Sequence, residues 1–200
     1  HRLISQDLLL PAGRLRESAQ GKERANMVIV TKCPKDMSPM QYRIIAEALQ
    51  LRPYQQLFFS TVKYGKMVNL HTHEMRSMSE MRQCNVLQIT GIGCPKQMNM
   101  DMEKQFASVR SLDFRDHHYY SHSDIQTIAE KLNEIPEPRI IITTEKDTTR
   151  LLTMENLPEE ITKHIWVLPI GVQFSQEKKR IFNDKITGYV QKNLRDSGMA

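Results

Sequence analysis

Apolar residues recur along this chain at two spacings, and the switches between them mark its elements. "NMVIVTK" (26–32) is a short β-branched run that predicts a buried strand. "SPMQYRIIAEALQL" changes to helical spacing, with Met40, Ile44, Ala48 and Leu51 as an apolar stripe. Ser38 is the expected N-cap, Pro39 takes the first helical position, and Gln41 completes a capping box. "QLFFSTV" (56–62), "GKMVNLH" (65–71), "NVLQIT" (85–90), "VRSLDF" (109–114) and "RIIIT" (139–143) read as further strands. One helix begins at Pro95 and runs to about Ala107. Another follows a cap at Ser121 or Ser123, with Ile125, Ile128, Ala129 and Leu132 on one face. Thr144 and Asp147 form a capping box for a short helix. "HIWVLPIGVQF" (164–174) is a last extended segment. The terminal amphipathic helix points Ile181, Phe182, Ile186, Tyr189, Val190 and Leu194 inward, and Gly188 weakens it.

Strands alternating with helices of about a dozen residues predict βαβ units. The fold class is therefore α/β and Rossmann-like, a mostly parallel sheet with flanking helices. Segment 63–84, rich in Lys, Met, His and Ser, breaks the alternation and marks a boundary between two lobes. A strand and a helix follow the second lobe, so the chain is expected to cross back. Segments 63–73 and 164–173 then form a two-stranded hinge, with pairing centred on 63–70 and 166–173. Residues 1–62 with 174–200 make one lobe, and 74–163 the other.

Composition narrows the classes without choosing one. With 40% hydrophobic and 26% charged residues, the chain is globular and not disordered. No apolar run approaches the roughly 18 residues of a membrane span, and no signal peptide is visible. Cys33, Cys84 and Cys94 are odd in number and far apart, which fits free thiols better than a disulfide framework or a zinc ribbon. The net charge of +5 suits anionic partners. The chain begins at His1 and has no G-x-x-x-x-G-K-[ST] sequence, so it is expected to be the later part of a longer protein.

Four segments carry candidate chemistry. "TGIGCP" (90–95) lies where a phosphate-binding turn would, but a dinucleotide fingerprint needs glycine where Lys96 stands. A tight strand-to-helix turn is the better reading. "TTEKDTTR" (143–150) follows a strand end, where ligands gather in parallel sheets, and Lys146 and Arg150 are candidate phosphate contacts. Capping by Thr144 and Asp147 explains the same residues. "LLLPAGRLRE" (8–17) sets Arg14, Arg16 and Glu17 after a turn, a candidate phosphate clamp or an ordinary basic loop. His71 and His73 would share a strand face, but a third ligand is not identifiable.

"DFRDHHYYSHSD" (113–124) is the densest run, with three acids and three histidines. If 113–118 stays extended, Asp116 and His118 share a face and His117 points the other way. Asp116 would then orient His118, as carboxylates orient catalytic imidazoles. A turn after Phe114 would destroy that relation. His122 and Asp124 read as helix-start residues.

Taken in order, "DLLLPAGRLRE", "ANMVIVTK", "TGIGCP", "FRDHHYYSHSD" and "IITTEKDTTRL" resemble the tetraacyldisaccharide 4'-kinase (lipid A 4'-kinase) family across nearly the whole chain. The resemblance implies a P-loop kinase of two α/β lobes. Such a kinase transfers the γ-phosphate of ATP, with Mg2+, to the 4'-hydroxyl of tetraacyldisaccharide 1-phosphate, giving lipid IVA. It implies a lipid A precursor as partner, peripheral membrane contact at the cytoplasmic face of the inner membrane, and no nucleic acid. It makes Asp116, His117 and His118 the catalytic candidates, one histidine supporting a catalytic aspartate of the other lobe. Arg14, Arg16 and Glu17 would lie near the phosphates or metal, with Lys146 a further substrate- or phosphate-binding candidate. The nucleotide loop, the acidic metal ligands and the base of such a kinase belong to a first half missing here, so this chain alone is expected to be inactive and to hold no metal. One alternative is a phosphoesterase whose D-H-H triplet binds metal, although Asp101 and Asp113 do not fit its further ligands. Another is a non-catalytic Rossmann-like module that binds an anionic partner.

Overall fold

In the first helix local sequence alone sets the boundary. The Gln41 side chain accepts from the Ser38 N–H at 2.7 Å, and the Ser38 hydroxyl accepts from the Gln41 N–H at 3.3 Å, closing the capping box ahead of Pro39. The computed structural model describes residues 3–93, 95–154, 157–174 and 176–196. Its elements in order are β1 (Met27–Cys33), α1 (Pro39–Leu49), β2 (Gln56–Tyr64), β3 (Met67–Asn69), β4 (Met75–Arg76), β5 (Asn85–Thr90), α2 (Lys96–Glu103), β6 (Ser108–Asp113), α3 (His122–Asn133), β7 (Arg139–Thr144), α4 (Glu145–Leu151), α5 (Glu159–Thr162), β8 (Ile165–Leu168), β9 (Ile170–Gln173) and α6 (Gln176–Asp196). The chain divides into two units, His1–Lys63 with Val172–Ala200, and Tyr64–Gly171.

The first unit holds a three-stranded sheet in the order β1-β2-β9, with β1 and β2 parallel. Phe58 is buried and meets Phe174 and Phe182 edge-on. Two expectations fail here. Met40 and Ile44 are exposed, and α1 instead buries Leu49 and sets Tyr42 edge-on against Phe59. Helical spacing permits either stripe, and the competing one runs through Tyr42, Ile45, Ala46 and Leu49. Among the described side chains of α6, Ile181 and Phe182 are half-buried, while Ile186, Tyr189 and Val190 are exposed. The Leu194 side chain lies outside the described residues. A cavity of about 640 Å3 in this unit is lined by Tyr42, Leu57, Phe59, Phe174, Lys35 and Lys178 among others.

The second unit is a six-stranded sheet in the order β4-β3-β8-β7-β5-β6. Its β6, β5, β7 and β8 are parallel, and β3 and β4 are antiparallel additions. The chain returns to its starting edge, where β3 pairs with β8, Val68 opposite Val167 and Asn69 opposite Trp166. Hydrophobic residues cover both faces. Val86, Ile140 and Ile142 join Met98 and Met102 of α2 on one side, and Leu87, Ile89 and Ile141 join Ile125, Ile128 and Leu132 of α3 on the other. That two-sided burial explains the unbroken "RIIIT" run, as expected of a central parallel strand. The shared strand face for His71 and His73 does not form. Asn69 ends β3 by accepting from the His71 and Thr72 N–H groups, and His73 takes a left-handed φ of 59°. Cys33 and Cys84 are buried free thiols with raised pKa from burial, and Cys94 lies outside the described residues. Among the described residues no helix is long and apolar enough to cross a membrane.

Candidate active site

Three neighbouring parallel strands of the second unit, β6, β5 and β7, finish side by side at Asp113, Thr90 and Thr144. From β5 the chain passes to β6 on one side, and from β6 it crosses back to β7 on the other side of β5, so the sheet order reverses between β5 and β7. Ligands of open α/β sheets bind outside the carboxyl ends at such a reversal. Three of the segments singled out by their chemistry emerge there. Gly91–Gly93 follows β5, Phe114–His118 follows β6, and Thr144 begins α4 directly from β7.

Contacts between these loops join side chains that lie far apart in sequence. Lys146 Nζ donates to Asp116 Oδ1 at 2.8 Å. One turn later on α4, Arg150 Nη2 donates to His117 Nδ1 at 3.0 Å. His117 adopts a left-handed φ of 64°, and its Nε2 lies 3.9 Å from Asp116 Oδ2. Beneath them Asp147 is fully buried. Its carboxylate accepts from the Thr144 hydroxyl at 2.8 Å and faces Arg150 Nη1 at 3.6 Å. The glycine turn closes over this group. A β-carbon on Gly91 would meet Asp147 Oδ1 at 3.0 Å, and one on Gly93 would meet Asp116 Oδ2 at 3.3 Å. Gly91 and Gly93 thus lie close against these acids, and a side chain at either would need its neighbour to give by a few tenths of an ångström.

The two histidines are treated oppositely. The His117 side chain is 74% exposed, whereas His118 is 27% exposed. His118 stacks on Phe114 with ring centroids 4.7 Å apart, and its Nε2 lies 3.0 Å from Asp124 Oδ2. His118 is therefore packed in place, and His117 is presented. Asp116 does not share a face with His118. β6 ends at Asp113 and the chain turns, so strand alternation no longer applies. Asp124 is more than a helix-start residue: at N3 of α3 it closes the capping box with Ser121 and also holds His118.

Electrostatics follow from these contacts. The hydrogen bond from Lys146 holds the Asp116 carboxyl below the usual carboxylate range. Burial raises Asp124, but the hydrogen bonds from Ser121 and His118 outweigh it and leave the carboxyl below its ordinary range. A carboxyl depressed by folding adds stability that is present above its unfolded value, about pH 3.9, and is lost as pH falls through the folded value. Asp124→Asn is therefore expected to lower stability at neutral pH and to flatten the acid loss below about pH 4. Urea unfolding at several pH values, read by Trp166 fluorescence, tests this; an unchanged pH slope would exclude the Asp124 contribution.

Asp116, His117 and Lys146, each a candidate from the sequence, come together here. The side-chain partners of Asp147, Arg150 and Asp124 carry no signal in sequence, where Asp147 and Asp124 read as helix-start residues and Arg150 as a candidate phosphate contact or a solvated charge. Arg14, Arg16 and Glu17 belong to the first unit. There Arg14 and Arg16 are exposed, the Arg14 N–H donates to Asp7 Oδ1 at 3.3 Å, and Glu17 pairs with Arg24. Asp101 accepts from the Tyr64 hydroxyl and Asp113 from the Thr90 hydroxyl. Among the described residues no group of three or more His, Cys, Asp or Glu is placed to hold a metal ion.

A family model for tetraacyldisaccharide-1-P 4'-kinase matches residues 1–187. The chain belongs to this family. It is 43% identical to the tetraacyldisaccharide 4'-kinase of Phocaeicola vulgatus over 203 residues, covering 100% of this chain and 56% of that protein. Identity to the Bacteroides thetaiotaomicron protein of the same name is 42%, covering 100% and 55%. The fold is shared with an apo-form LpxK from Aquifex aeolicus solved in complex with ATP, with TM-score 0.50 and 21% identity over 86% of this chain and 46% of that one. The chain spans about half the length of the curated relatives it matches. The kinase-family match covers both units and every motif on which the resemblance rested, from "DLLLPAGRLRE" to "IITTEKDTTRL".

Proposed function

We propose that this chain supplies the later part of an ATP-dependent kinase that phosphorylates the 4'-hydroxyl of tetraacyldisaccharide 1-phosphate to give lipid IVA. One observation carries the reading: family membership over residues 1–187 coincides with an Asp116–His117 pair fixed at the reversal point of a parallel sheet. Phosphoryl transfer asks a protein mainly for positioning and for neutralisation of spreading negative charge. Asp116 and His117 are the proposed catalytic pair of this chain, with His118 as their support. Asp116, with a carboxyl depressed by Lys146, is a poor proton acceptor and a good fixed negative charge. His117 is the exposed member that reaches the reacting groups, and His118 braces the loop. Arg14 and Arg16, with Glu17 beside them, are proposed contacts to phosphate. ATP is the donor, and Mg2+ accompanies it in this reading. Among the described residues none are grouped to hold that ion, and the tasks of this chain's own side chains are to orient, to neutralise and to place a proton.

A lipid acceptor implies peripheral contact at the cytoplasmic face of the inner membrane. The segments 63–73 and 164–173 are read as a two-stranded hinge, supported by the pairing of Val68 with Val167. Incubation of the full-length protein with labelled ATP and tetraacyldisaccharide 1-phosphate should yield the 4'-phosphorylated lipid. The 200 residues alone should yield none. Turnover by the purified 200-residue chain would refute the division of labour, and no product from the full-length protein would refute the kinase reading.

A further inference from the structure

The segment "TTEKDTTR" lies against the Asp116–His117 pair from the opposite side of the site. We propose that Lys146 and Arg150 are positioning residues that clamp Asp116 and His117 from one face of α4 and fix which nitrogen of His117 carries its proton. This rests on the reading of Asp116 and His117 as part of the kinase site.

The chemistry of the donors decides the assignment. Arginine carries five N–H donors and no acceptor, and it stays protonated. The 3.0 Å contact from Arg150 Nη2 therefore makes His117 Nδ1 the acceptor. In a neutral imidazole the proton then resides on Nε2, the nitrogen 3.9 Å from Asp116 Oδ2. Asp116 is itself held by Lys146 at 2.8 Å. Lys146 and Arg150 are four residues apart and share a helix face, so a single helix grips two consecutive residues of the opposing loop. The left-handed backbone at His117 belongs to the same arrangement.

The clamp has a buried anchor. The Arg150 side chain is only 14% exposed, and its Nη1 faces the fully buried Asp147 carboxylate at 3.6 Å. Asp147 in turn is tied to Thr144 at the end of β7. A line of contacts thus runs from the sheet through Asp147 and Arg150 to the His117 ring. Its consequence is chemical. His117 presents an N–H donor, able to steady a carboxylate or an oxygen gaining negative charge. Through Nε2 it does not take the proton from the acceptor hydroxyl, so the general base is a different group.

The test uses full-length protein carrying 15N-labelled histidine. Nitrogen NMR should show His117 with an unprotonated, hydrogen-bonded Nδ1 and a protonated Nε2. A protonated Nδ1 in the wild-type protein overturns the proposal, and this measurement needs neither a variant nor turnover. In kinetics, Arg150→Ala should lower kcat about 10- to 100-fold, the range seen when outer-shell partners of metal ligands are removed. KM for ATP should stay the same, and added guanidinium should restore part of the rate. In a His117→Ala background the same Arg150→Ala change should have almost no further effect. A full effect in that background would overturn the positioning role. Absence of any lipid product with the expected tautomer would instead count against the kinase reading alone.

Discussion

Ile141→Ala is expected to lower the stability of the second unit by about 2–5 kcal/mol, the range for deleting a large buried aliphatic side chain. Ile141 is fully buried at the middle of β7, opposite Leu87 of β5 and Ile165 of β8. Its side chain belongs to the cluster that joins the sheet to α3, so truncation leaves a cavity with packed walls on every side. Trp166 is the sole tryptophan and lies on β8 next to β7, so its fluorescence reports this unit. The urea midpoint should fall with little change in slope. Leu152→Ala, at a residue 61% exposed just after α4, should stay within about 0.5 kcal/mol of the parent. Equal losses for the two would mean that this core is not packed around Ile141.

Much of this architecture is legible in the sequence because its elements are specified locally. Ser38 with Gln41, Ser121 with Asp124, and Thr144 at the start of α4 each mark a helix start at the position read from sequence. The β-branched runs at 85–90 and 139–143 become central strands because both faces are covered. Faces of helices are less legible. α1 carries two apolar stripes compatible with helical spacing, and only packing selects Tyr42 and Leu49 over Met40 and Ile44. The site is legible as a composition and not as a geometry. Strand alternation predicted Asp116 with His118, but the turn after β6 pairs Asp116 with Lys146 and gives His118 to Asp124. Those partners are 30 and 6 residues away, beyond the reach of any local rule.

The largest effect on function is expected at His117. On the proposed reading it is the exposed histidine of the cluster and presents an N–H donor, so His117→Ala should lower kcat by about 10²–10³-fold, the usual cost of removing one preorganised hydrogen-bond donor. His118 acts differently. Its ring is stacked on Phe114 and tied to the half-buried Asp124, so His118→Ala should cost about 1 kcal/mol of stability through the lost stacking and hydrogen bond. Its effect on turnover should recover on cooling or with stabilising solutes, whereas that of His117→Ala should not. The contrast separates chemistry from scaffolding within two adjacent residues.

Single-turnover transfer of labelled γ-phosphate to tetraacyldisaccharide 1-phosphate isolates the part His117 plays in the chemical step. Wild-type and His117→Ala full-length proteins would be compared at saturating ATP, with ATP affinity measured separately. The transfer rate should fall at least about 100-fold with ATP affinity unchanged. An unchanged transfer rate would contradict that role and remove the Asp116–His117 pair from the mechanism.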